Sequence, residues 1–155
     1  MKPHPIRVYA DTSVFGGVFD EEFMNPSRIF FEMVKSGKFR LVTSVVVRSE
    51  MSLAPLDVRM FFSRLAKVAD MAAISNESLA LRNAYIKAEI VAANCLDDAL
   101  HVALATVSGC GLIVSWNFKH IVNFKKIPLY NGINGANGYP SISIHSPLEV
   151  ISDEK

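Results

Sequence analysis

The stretch Ile6-Arg7-Val8-Tyr9-Ala10-Asp11-Thr12-Ser13 decides the fold. Residues 6–10 alternate apolar and polar side chains with β-branched content, the period-2 signature of a strand, and Asp11-Thr12-Ser13 ends it. A strand closed by an acidic residue places that carboxylate at the strand's C-terminal edge, where open α/β sheets collect ligands and catalytic groups. The plainer account of Asp11 is a turn cap, and position alone leaves both open.

Downstream, strand and helix patterns alternate. Asn25-Pro26 is a helix start, Asn as N-cap and Pro at the first helical position, followed by Ile29, Phe30, Met33 and Val34 at helical spacing and by Gly37 as a stop. Phe39 to Thr43 fits a second strand, and Ser44 caps a helix running through Val47 and Glu50. Pro55 opens another helix with Val58, Phe61, Phe62, Leu65 and Val68 on one side. Met71 to Ile74 is a short strand candidate. Asn76 caps a helix through Leu79, Asn83, Ile86 and Ile90, and Leu96 to Val107 forms one more, ended by Gly109. Gly111 to Ser115 is a strand of the wholly buried kind. The alternation predicts an α/β fold around a central, mainly parallel sheet.

Beyond it, Asn131 to Gly138 reads as a glycine and asparagine loop. Ser141 to Ile144 reads as a final strand, and Ser146-Pro147 caps a short helix ending near Ile151. With no repeat and no linker, residues 1–155 are expected to form one domain, its core at about 6–124 and a loop, strand and short helix at 125–151.

Composition bounds the function. Of 155 residues half are hydrophobic and a fifth charged, which excludes disorder over most of the length. No apolar run approaches the roughly 20 residues of a membrane span, and the N-terminus lacks the apolar core of a signal peptide. The expected compartment is therefore the cytoplasm. A net charge of +1 gives no bulk argument for nucleic acid, although Lys35, Lys38 and Arg40, and again Lys119, His120, Lys125 and Lys126, cluster locally. Two cysteines, Cys95 and Cys110, are too few for a disulfide framework or a Cys-ligated zinc site, and read as buried free thiols.

Asp20, Glu21, Glu22, Glu77, Asp153 and Glu154 sit in polar or terminal stretches as solvated surface. Asp97 and Asp98 stand at a helix start, where the dipole favours them. Asp98 shares a face with His101 and Ala105, while Asp97 is turned about 100° away and is the helix-start residue. Glu50 lies on the helix after the second strand, and Asn117 directly follows the buried strand. Asp11 and Asn117 thus leave strand ends, and Glu50 and Asp98 come from helices packed near them. Carboxylates held close repel unless a cation neutralises them, so such a set suits a hard divalent ion, Mg²⁺ or Mn²⁺. A water on that ion can be activated against a phosphodiester.

At this point the sequence resembles the PIN-domain family, in particular its VapC-like toxin ribonucleases. Asp11-Thr12-Ser13 is similar to that family's first acidic motif and Glu50, closing Ser44-Val45-Val46-Val47-Arg48-Ser49-Glu50, to the second. Asp98, opening an alanine-rich helix, is similar to the third, and Leu112-Ile113-Val114-Ser115-Trp116-Asn117 to the strand and fourth polar position. The motifs span residues 6 to 124 and match as a set, each being weak singly. The resemblance implies an α/β/α sandwich, Mg²⁺- or Mn²⁺-dependent endoribonuclease activity on RNA such as tRNA or rRNA, a homodimer and a partner antitoxin. One departure stands out: the fourth position is Asp in many members and Asn117 here, a ligand without charge.

The roles expected are Asp11, Glu50 and Asp98 as metal ligands, with Asn117 completing the site. Thr12, Ser13, Lys119 and His120 are expected on the substrate side, His101 packs or hydrogen-bonds on its helix, and Trp116 belongs to the core. A degenerate PIN domain that binds RNA or protein without cutting is the alternative, as Asn117 allows. A phosphatase needs a second Asp in the loop after the first strand, and a receiver domain needs an acidic pair there; neither is present. Glycine-rich phosphate loops are also missing.

Overall fold

A computed structural model describes residues 4–151. Five strands, β1 (Ile6–Ala10), β2 (Phe39–Ser44), β3 (Asp70–Ala72), β4 (Leu112–Val114) and β5 (Ser143–His145), form one sheet in the order β3-β2-β1-β4-β5. Every pairing is parallel. All strand C-termini therefore open on one edge, and the order reverses at β1, the switch point at which such sheets place their ligands.

Two helical layers enclose the sheet. α5 (Asn76–Lys87) packs on α6 (Leu96–Val107) and α7 (Ile127–Ala136). The other set is α1 (Thr12–Gly17), α2 (Met24–Lys35), α3 (Val45–Met51), α4 (Leu56–Ala66) and α8 (Pro147–Ile151), joined through α1·α2, α1·α4, α3·α4 and α2·α8 contacts. Side chains alternate along β1, so Tyr9 reaches the α6 side while Val8 and Ala10 point the other way. An aromatic cluster of Phe15, Phe31, Phe61 and Phe62 fills the space between α1, α2 and α4. Trp116 stacks on Phe23 with ring centroids 4.2 Å apart, and its Nε1–H donates to Ser27 Oγ at 2.9 Å. It is a core tryptophan. Gly17 makes room for it, since a Cβ there would meet Ser27 Oγ at 2.6 Å and Trp116 Nε1 at 2.8 Å.

Several local expectations are corrected. Asn131 to Gly138 is not a loop: α7 covers most of it, and its amide side chains explain why below. A short helix, α1, follows Asp11 directly where the sequence showed only a strand end. α2 begins at Met24 with Phe23 at its cap, placing Asn25 and Pro26 inside the first turn, where proline is still tolerated because that turn's amides lack intrahelical acceptors. Ser75 rather than Asn76 caps α5, through a reciprocal Ser75–Ser78 capping box. That helix buries Ser78, Leu81 and Tyr85, a face rotated from the one its sequence pattern suggested. β3 begins at Asp70, pinned there by Arg7 and Arg40, each 2.6 Å from its carboxylate. Val68 is exposed beyond the end of α4. Ser44 does cap α3, accepting from Val47 N–H at 3.2 Å, and α6 spans the predicted residues. Among the described residues no helix is long and apolar enough to cross a membrane.

Candidate functional site

Asp11 leaves the end of β1 and is 4% exposed. Its Oδ1 accepts from Ser13 Oγ and its Oδ2 from Ser115 Oγ, both at 2.6 Å. Burial pushes its carboxyl above the usual range; the His101 charge and the two serine bonds oppose that, and Glu50 adds to it.

Glu50, half-buried near the end of α3, is held from two sides. Thr12 Oγ1 donates to its Oε1 at 2.5 Å, and His101 Nε2 lies 2.8 Å from the same oxygen. On the far side of the ring, His101 Nδ1 is 2.7 Å from the Tyr9 hydroxyl, which is 2.8 Å from Ser44 Oγ. A polar chain Ser44–Tyr9–His101–Glu50–Thr12 therefore crosses the buried end of the sheet. Burial alone would lower the His101 pKa. The Glu50 bond and the charges of Asp11, Glu50 and Asp98 outweigh it and raise the value. For Glu50, burial acts upward, and the His101 bond, His101 charge and Thr12 bond bring the carboxyl below its usual range. Both shifts share one cause, the bond between Glu50 and His101. Of the three predicted carboxylates only Glu50 bonds His101; the charges of Asp11 and Asp98 act on it from farther off.

Asp98, on the first turn of α6, accepts from His120, whose Nδ1 is 2.7 Å from Oδ2. His120 follows β4 in a turn built by Asn117. The Asn117 Oδ1 accepts from Lys119 N–H at 3.2 Å and from His120 N–H at 2.9 Å, which engages both of its lone pairs. Asn117 is thereby a turn-holding residue in this arrangement. Ser115, not singled out in the sequence, takes the place beside Asp11 and also accepts from Asn117 N–H at 2.9 Å. The available signal was a hydroxyl at the end of a buried strand. Ser13 serves twice, donating to Asp11 and accepting from Trp116 N–H at 2.9 Å. Lys119 is exposed on the rim, and so is Asp97 at the helix start.

Among the described residues, the His, Cys and carboxylate atoms that lie mutually within 4.8 Å belong to Cys95, Asp98 and His120, and not to the three carboxylates. Cys110 is buried, its thiol pushed up to about 12 by burial, whereas Cys95 is only half-buried. The carboxylates offer hard oxygen donors set apart, which fits an ion that keeps most of its waters and takes one or two carboxylates directly, as Mg²⁺ does.

No protein-family model and no curated protein matches the chain. Among solved structures it is similar to a chain in the crystal structure of VapBC2 from Rickettsia felis bound to a DNA fragment from their promoter. The TM-score is 0.58 at 11% identity, over 91% of this chain and 98% of that one. At that identity the likeness speaks for the fold, a PIN-like α/β/α sandwich.

Proposed function

We propose that this protein is a metal-dependent endoribonuclease acting as the toxin of a toxin–antitoxin pair. The observation that carries the reading is buried Asp11 at the end of β1, where all five strands end, with Glu50 held close by through Thr12 and His101. In this reading Asp11, Glu50 and Asp98 hold Mg²⁺ or Mn²⁺, directly or through water. The bound ion would supply an activated water and neutralise charge on the phosphodiester.

The chain's own residues do the positioning. Ser13 and Ser115 fix the Asp11 carboxylate, and Thr12 and His101 fix Glu50. These bonds occupy the hydroxyls of Thr12 and Ser13, so their part is to orient carboxylates more than to touch substrate. Lys119, exposed beside the site, is the residue placed to meet an RNA phosphate. Exposed Leu53 in the turn before α4, with Leu56 and Met60 on that helix, would offer an apolar face to a protein partner, a second copy or an antitoxin. The likeness in fold to a chain of VapBC2 supports the toxin assignment; RNA as substrate and cytoplasmic action rest on the motif resemblance.

The test is cleavage of a mixed RNA substrate with Mg²⁺ or Mn²⁺, comparing the protein with Asp11→Asn and Asp98→Asn. Ion-dependent cutting, lost by at least about 100-fold in both variants, is expected, since even residues that only orient metal ligands carry 10–100-fold effects. Equal inertness of all three would move the protein to a non-catalytic RNA- or protein-binding role, which the uncharged, turn-holding Asn117 would then suit.

A further inference from the structure

The cluster formed by Cys95, Asp98 and His120 is chemically unlike the carboxylates beside it. Cys95 caps α6 and Asp98 lies three residues on, so both rise on one face of the first helical turn. His120 comes from the loop after β4 and is fixed at both ends of its peptide unit. Its N–H donates to Asn117 Oδ1 at 2.9 Å, and its carbonyl accepts from the Tyr130 hydroxyl at 2.8 Å. The ring stands between the two helix residues, with Nδ1 2.7 Å from Asp98 Oδ2 and Nε2 3.8 Å from Cys95 Sγ.

We propose that Cys95 and His120 form a binding site for a thiophilic divalent cation of the Zn²⁺ class, with Asp98 orienting the His120 ring. A zinc ion about 2.3 Å from sulfur and about 2.0–2.1 Å from nitrogen, at a tetrahedral angle, separates the two ligand atoms by about 3.6 Å. The observed 3.8 Å is close to that edge, so the ion enters with little movement of either side chain. The carboxylate behind the ring holds the proton on Nδ1 and turns the Nε2 lone pair toward the thiol, the outer-shell arrangement of zinc-bound histidines. The site is reachable: Asn94, Cys95, Leu96, Asp97 and Asp98 line an open surface depression, and the Asn94 side-chain Oδ1 lies 3.5 Å from the Cys95 sulfur. Remaining positions fall to water. A thiolate and an imidazole select zinc, or cobalt as its spectroscopic substitute, over Mg²⁺. Asp98 thus stands in two sets; its part in the hard-ion set rests on the function proposed above, whereas zinc binding does not.

Titration of the reduced, full-length protein with Co²⁺, without RNA, tests the site directly. A thiolate-to-cobalt charge-transfer band is expected at one equivalent, discharged by Zn²⁺ and indifferent to a large excess of Mg²⁺. Cys95→Ser and His120→Gln should each abolish the band with an unchanged circular dichroism spectrum, and Asp98→Asn should weaken Co²⁺ binding by about 10–100-fold. If Cys95→Ser fails to fold, His120→Gln carries the same test. Absence of the band in the reduced protein overturns the proposal. So does its persistence in either ligand variant, which would trace it to Cys110 or to a site without His120. Because the readout is spectroscopic, a protein inert toward RNA would leave this result standing, and an active nuclease without the band would still refute it.

Discussion

Tyr9→Phe removes one oxygen from the interior and leaves the packing volume almost intact, so its cost isolates the polar chain beneath the site. Tyr9 is wholly buried, and its hydroxyl bonds to Ser44 Oγ and to His101 Nδ1. The two partners suffer differently. Ser44 Oγ keeps the Val47 amide as a donor, but His101 Nδ1 has no other hydrogen-bond partner among the described residues and is left buried alone. One orphaned buried group costs about 1–3 kcal/mol. For a chain of this length each kcal/mol moves the Tm by about 2–4 °C, so a fall of about 2–12 °C is expected by scanning calorimetry. The His101 contribution separates in a double-mutant cycle. In a His101→Leu background the orphan no longer exists, and Tyr9→Phe should cost at least about 1 kcal/mol less there than in the wild type. A Tm change below about 1 °C, or equal costs in both backgrounds, would refute the claim that this chain is an energetic unit.

Three further outcomes follow from the same geometry. The Glu50–His101 pair should make stability depend on pH in a defined window. Held above its ordinary 6.5, His101 contributes fully below that pH and loses its contribution as pH rises through the folded value; Glu50, held below its ordinary 4.5, contributes fully above that pH and loses it as pH falls. The pair is therefore worth most between 4.5 and 6.5, and His101→Gln should flatten the Tm profile on both flanks. Asp11 has the opposite sign to Glu50. Its folded value lies above the ordinary 3.8, so its charge destabilises the fold as pH rises through that value. Asp11→Asn should consequently match or exceed the wild-type Tm at neutral pH, and a marked fall would show that burial does not dominate there. In α7, Gly135 is exposed with nothing within 4 Å of a Cβ, so Gly135→Ala should stabilise by about 0.5–1 kcal/mol in urea unfolding. A loss would mean that the helix is not formed there.

What the sequence could and could not reveal divides along a physical line. β1, β2, α3, α4 and α6 were legible because their burial is written in local periodicity and their ends in local chemistry, as with Ser44 below Val47. The segment 127–136 was not. Its two Asn and two Gly make a poor helix by propensity, and it is helical because its amides bind distant parts of the chain. Asn134 takes the Tyr85 hydroxyl and reaches Thr106, and Asn131 bonds both the carbonyl and the amide of Ile142, tying the start of β5 to α7. Composition reads such residues as loop formers because it sees only their local competition with the backbone. The site divides in the same way. Asp11 and Asp98 declare themselves by position at a strand end and a helix start. The tie between Glu50 and His101 spans 51 residues, and that between Asp98 and His120 spans 22, so neither is visible from spacing.

Those long-range ties also explain how an acidic site can fold before any ion arrives. Burial and the Glu50 charge raise the energy of the Asp11 carboxylate, and burial raises that of Glu50. Each carboxylate is met by its own donors: Asp11 by two serine hydroxyls, Glu50 by Thr12 and His101, Asp98 by His120. Bonds to ionised groups contribute about 1.5–3 kcal/mol each, enough to offset much of the strain in the ion-free protein. The arrangement does not remove all of it, as the raised Asp11 value records. What remains is a site whose carboxylates are already oriented and in which, among the described residues, Asp11 has no positive neighbour in direct contact. A cation bound there should raise the Tm most in the wild type and least in Asp11→Asn.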